Sequence, residues 1–75
     1  MDKELVKMKQ KYNYWLSRYK KAEEYFETAT VEECEKHITL FNEIVRNLSK
    51  LMIRFALITG RKMTTDEKFN GFSEV

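Results

Sequence analysis

Two runs of apolar residues share one rhythm in this chain, and together they leave it few ways to fold. Leu5, Met8, Tyr12, Trp15, Tyr19, Ala22, Phe26 and Ala29 alternate spacings of three and four without a break. Cys34, His37, Phe41, Ile44, Leu48, Leu51, Phe55 and Ile58 do the same. Such spacing lines every member up on one side of an α-helix and suits helices that cross at a shallow angle. Only Thr28, Ala29 and Thr30 make a plausible turn between the runs, and so short a connection forces antiparallel neighbours. The pattern predicts an all-α fold, an antiparallel two-helix hairpin over residues 3–28 and 31–59. Residues 1–60 then form the hairpin, and residues 61–75 a C-terminal tail with a short helical turn.

Local signals mark the helix ends. Asp2 is placed to cap the first helix, with Glu4 close behind at the positive end of the helix dipole. Thr30 with Glu33 three residues on reads as a capping box opening the second helix. Gly60 supplies its left-handed stop, followed by Arg61 and Lys62 near the negative end. Thr64 with Glu67 is a second box, and Asn70-Gly71 a second stop, which predicts a helical turn over Thr65 to Phe69. Phe69 and Phe72 either fold back on the hairpin or anchor the tail in another molecule.

The pairing between the helices can be written from the turn outward. If Ala29 lies beside Cys34, residue numbers across the hairpin sum to about 63. Phe26 then meets His37, Ala22 meets Phe41, Tyr19 meets Ile44 and Trp15 meets Leu48. Tyr12 meets Leu51, Met8 meets Phe55 and Leu5 meets Ile58, while Leu16 and Tyr14 flank the stripe. This accounts for one row of the second helix only. Ile38, Val45 and Met52 form another row seven residues apart, joined by Leu40, Ile53, Ala56 and Leu57. A helix apolar on most sides is usually buried on most sides, and contiguous apolar patches mark association sites. Ile38, Val45, Met52, Ile53, Ala56 and Leu57 are therefore the expected protein interface. The simplest closure is a two-fold homodimer forming a four-helix bundle. Docking on a different protein, or cover by the Phe69–Phe72 tail, are the other closures.

With 75 residues the chain is one domain at most, and a core this small usually needs help from disulfides, metals or oligomerisation. Cys34 is the only cysteine, so no internal disulfide forms, which fits a reducing cytoplasm. No stretch has the layout of a signal peptide or the ~20 apolar residues of a membrane span. Net charge is only +2, but its distribution is uneven. Between Leu5 and Ala22 lie six lysines and arginines and no acid; between Glu23 and Glu35 lie six glutamates and no base. The glutamates read as a solvated acidic cap at the turn. Lys7, Lys9, Lys11, Arg54, Arg61 and Lys62 form a basic open end, and Arg18 extends the positive field along the flank, with Tyr14 among these bases. Basic side chains with an interleaved aromatic suit a nucleic-acid backbone or an acidic partner. Cys34 and His37 are three apart, but a structural zinc site needs four ligands, so they read as ordinary packing residues. No phosphate-binding loop, nucleophile elbow or metalloprotease motif occurs. The chain is expected to be no enzyme and to use no cofactor, metal, membrane or small-molecule substrate.

The expected architecture, a short-turn helical hairpin able to pair into a four-helix bundle, resembles that of the Rop family of plasmid RNA-binding proteins. The resemblance lies in the architecture and carries no residue across. Size, composition and lack of catalytic motifs are also similar to many small phage or mobile-element proteins, which bind and block a host protein. The resulting expectation is a non-catalytic protein–protein interaction module of that inhibitor type. The alternative is a Rop-like nucleic-acid-binding accessory protein using the basic open end.

Overall fold

The computed structural model describes residues 3–73. Three helices follow one another: α1 (Lys3–Thr28), α2 (Val31–Thr59) and α3 (Thr65–Asn70). The first two form the expected antiparallel hairpin. At ~1.5 Å per residue a helix of α2's length spans roughly 43 Å, which sets the long dimension of a body measuring 45 × 19 × 19 Å.

The ends follow the local signals. Thr30 has extended backbone and its hydroxyl accepts from the Glu33 N–H, but only this half of the expected capping box forms, because the Glu33 carboxylate turns to accept from the Tyr25 hydroxyl across the turn. Gly60 takes the left-handed conformation at φ 77° and donates its N–H to the Ala56 carbonyl. At α3 the capping box is complete: Thr64 Oγ1 accepts from Glu67 N–H, and Thr64 N–H donates to Glu67 Oε1. The expected Asp2 cap lies outside the described residues.

The fully buried core is Met8, Tyr12, Leu16, Ile44, Leu48, Phe55, Met63 and Phe72. It occupies the open-end half of the hairpin, because the tail packs there. Met63 and Phe72 belong to the same core as the helices. The Phe72 ring lies 5.7 Å from Tyr12 and 5.4 Å from Phe55, centroid to centroid. Of the two fates considered for the tail aromatics, folding back applies to Phe72, whereas Phe69 is 67% exposed.

Two details differ from the sequence-based pairing. Near the turn, Phe41 sits between the rings of Tyr19 and Phe26, at 5.3 and 5.2 Å, and His37 stacks edge-on against Tyr25. Side chains of packed helices enter spaces between facing residues, so one-to-one opposition is off by about half a turn. Second, Leu16 is buried, whereas the stripe placed it on the flank. The stripe was drawn for a hairpin alone; the tail covers the Tyr12–Asn13–Leu16 side of α1 and moves the core toward it.

Hydrogen bonds fix the tail on that side. Tyr12 donates its hydroxyl to the Lys68 carbonyl at 2.8 Å, and burial pushes the Tyr12 phenol pKa up. The Asn13 side chain grips the backbone of Phe72 twice: its Nδ2 donates to the Phe72 carbonyl at 2.8 Å, and its Oδ1 accepts the Phe72 N–H at 2.7 Å. Gly71 makes this approach possible, with φ 77° and ψ −160°. A Cβ at Gly71 would come 2.5 Å from Asn13 Oδ1. Gly71→Ala is therefore expected to destabilise the fold by about 1–3 kcal/mol through backbone strain and the lost clasp. Gly60→Ala has open space around it and meets only the left-handed penalty. Urea unfolding of the two variants checks this; an equal drop in both would show that the clasp is not the cause.

Candidate interaction surface

The α2 row is solvent-facing for most of its length. Residues seven apart stay within ~20° of each other on a helix, so Val31, Ile38, Val45 and Met52 share one line. Val31, Ile38 and Val45 are exposed, and Met52 is half-buried against the hairpin's own core. Met52 thus has an intramolecular role in addition to the interface role expected of it, because the tail and α1 approach it. Ile53 and Leu57 lie further round and are 63% and 80% exposed; Ala56 is half-buried. Leu40, expected with this row, points elsewhere. It borders a separate crevice with Arg18, Lys21, Tyr25 and His37, about 200° away around the helix from Ile38.

Two shallow grooves run along the row. One, near the turn, is lined by Tyr19, Glu23, Phe26, Glu27, Ile38 and Phe41. The other, about 230 Å³, has Leu16, Val45, Leu48, Met52 and Phe69 in its walls. The exposed Phe69 ring therefore extends the apolar strip beyond α2. Sequence reasoning missed Phe69 and Val31 as members. For Val31 the signal existed, since it continues the seven-residue repeat. For Phe69 it did not, because only the turn at Gly71 decides which of the two tail phenylalanines goes inward.

The expected basic open end is largely engaged within the molecule. Arg54 pairs with Glu4 at 2.9 Å. Arg61 grips Glu67 through two nitrogens at 2.9 and 3.0 Å and lies over the Phe55 ring. Lys9 sits over the Phe72 ring, 5.3 Å from its centroid. Lys7, Lys11 and Lys62 are exposed. Arg18 lies over Trp15 and Tyr14 and donates to the Tyr14 hydroxyl at 3.2 Å. Cys34 is half-buried and His37 exposed, and among the described residues no cluster of three or more His, Cys, Asp or Glu side chains is placed to hold a metal ion. Among the same residues no helix is long and apolar enough to cross a membrane.

The Arg61–Glu67–Thr64 arrangement has a pH signature. The Arg61 guanidinium first, then the Thr64 backbone N–H, hold the Glu67 carboxyl at about 2, below its ordinary 4.5. A carboxyl lowered by folding stabilises the folded state fully above its unfolded pKa and loses that contribution as pH falls through the folded value. Thermal stability should therefore decline between pH 4.5 and about 2. Glu67→Gln should lower the melting temperature at pH 7 and decline less steeply in that window. Parallel acid profiles for wild type and variant would show another carboxyl to be responsible.

No family model matches this chain, and no curated protein or solved structure is significantly similar to it.

Proposed function

We propose that this chain is a non-catalytic protein–protein interaction module that associates with a second copy of itself through α2. The observation that carries the reading is the exposed, evenly spaced row on α2. Ile38 and Met52 lie seven residues either side of Val45. A two-fold interface must complement itself, and a row symmetric about its midpoint does so when two α2 helices run antiparallel. Ile38 of one copy then comes opposite Met52 of the other, and Val45 meets its own equivalent on the axis. The antiparallel arrangement also sets the acidic turn end of each copy beside the end of the other that carries Arg54, Arg61 and Lys62. Opposed charge at both ends favours that orientation over the parallel one. The product is a four-helix bundle with both α2 helices central.

Blocking of a host protein, the role that phage-type modules of this size play, would use the same apolar face. A heteromeric complex would then compete with self-association. The test is the mass in solution by light scattering at tens of micromolar. Twice the 9.1 kDa chain mass is expected, and a clean monomer would remove the self-association reading. Val45→Asp identifies the surface responsible.

A further inference from the structure

The geometry points to a second binding surface, on the outer face of α1, for the backbone and unstacked bases of single-stranded nucleic acid. Lys7, Lys11, Tyr14, Arg18, Lys21 and Tyr25 follow spacings of four, three, four, three and four, which places them on one face of the helix. From Lys7 to Lys21 the row spans roughly 21 Å at ~1.5 Å per residue. Of the acids toward the turn end of α1, Glu23 and Glu27 lie on the other side by the same periodicity, whereas Glu24 follows Lys21 by three and flanks the row there. Among the described residues, carboxylates stand near the two ends of the row, Glu4 bonded to Arg54 at one and Glu33 at the Tyr25 hydroxyl with Glu24 beside Lys21 at the other.

Aromatic rings stand among these cations. Tyr14 is 56% exposed and packs edge-on against Trp15, their centroids 5.4 Å apart. Arg18 is held over both rings and bonded to the Tyr14 hydroxyl, so its guanidinium is positioned before any ligand arrives. The crevice beside the row, about 310 Å³, has Arg18 and Lys21 at its rim and Tyr25, His37, Leu40 and Phe41 in its walls. Cations that track a phosphate backbone, alternating with ring faces on which bases stack, are what single-strand binding uses. A duplex keeps its bases stacked and offers nothing to Tyr14 or to the crevice. An acidic polypeptide would use the cations and leave the exposed ring without a role. The row lies on α1, away from the apolar row of α2, so it does not depend on self-association.

The test uses the full chain and fluorescein-labelled oligo(dT) and oligo(U) of twenty nucleotides, with a duplex of equal length, read by fluorescence anisotropy across salt concentrations. Single strands should bind more tightly than the duplex, with log affinity falling against log salt by about 0.7 per phosphate engaged. The pair Lys11→Glu and Lys21→Glu should weaken binding at least ~10-fold and flatten the salt slope, whereas Tyr14→Ala should weaken it with the slope unchanged. The pair Lys20→Glu and Lys68→Glu changes net charge equally, uses exposed positions off this face, and should leave affinity within ~2-fold. No single-strand binding at low salt, tighter binding of the duplex, equal loss from both charge-reversed pairs, or equal displacement by polyglutamate would each overturn the assignment. Circular dichroism of every variant should match wild type, since all the substituted side chains reach solvent.

Discussion

Phe55→Ala is expected to cost about 3–5 kcal/mol, the range for truncating a buried phenylalanine. The ring is 1% exposed and lies where three parts of the chain meet. α2 carries it, Phe72 of the tail packs 5.4 Å away, and Arg61 lies over it at 4.8 Å. Truncation leaves a cavity that neither long helix can close, because each is held by its whole length of packing. Domains of this kind have total stabilities of about 5–15 kcal/mol, so the loss is a large share of the total and the variant should melt at least ~12 °C lower. Phe69→Ala, 67% exposed, should stay within about 0.5 kcal/mol of wild type. Thermal melts of the two side by side provide the check. A large loss at Phe69 would mean that its ring is covered in solution, which is itself informative about the docking strip beside Val45 and Met52.

Val45→Asp is expected to abolish self-association while leaving the hairpin folded. Val45 is exposed in the single chain, so an aspartate there stays solvated and disturbs little. On the two-fold axis the same change buries two carboxylates against each other. An unpaired buried charge costs about 3–5 kcal/mol, and every ~1.4 kcal/mol is tenfold in affinity, so the dissociation constant should rise at least ~100-fold. Light scattering should then report the mass of one chain, with the far-ultraviolet circular dichroism unchanged. Loss of helicity along with mass would mean that Val45 is part of the chain's own core. A dimer that persists would place the contact on another face, and the crevice beside Leu40 would become the leading alternative.

Much of the fold was legible because heptad spacing and short-range caps are local. Thr30, Gly60 and Thr64 act within four residues of where they sit, and the two stripes needed only a turn too short to separate them. What escaped was long-range. Asn13 is a polar residue beside an apolar stripe, and no local rule says that it holds the backbone of Phe72, 59 residues on. Leu16 was placed on the flank for the same reason, and the half-burial of Met52 against the core went unforeseen, since both depend on where the tail lands. On the candidate surfaces, the apolar row of α2 was visible in the spacing. The cations were visible as a cluster but not as partners: nothing in sequence proximity links Arg54 to Glu4, or Lys9 to the Phe72 ring. Sorting them by what each already touches moves the basic surface from the open end to the outer side of α1.

The clasp between Asn13 and Phe72 also sets an order of events in time. The hairpin closes across a turn of few residues, which is a fast local search, whereas the tail must find a seat almost the whole chain away. Long closures are slower to form, and segments held by few contacts open first. The tail should thus be the last unit to lock and the earliest to open. Amide hydrogens of α3 and of Phe72 should exchange with deuterium well ahead of those in the middle of α1 and α2. Each such opening briefly bares Tyr12 and Phe55 while both long helices stay intact.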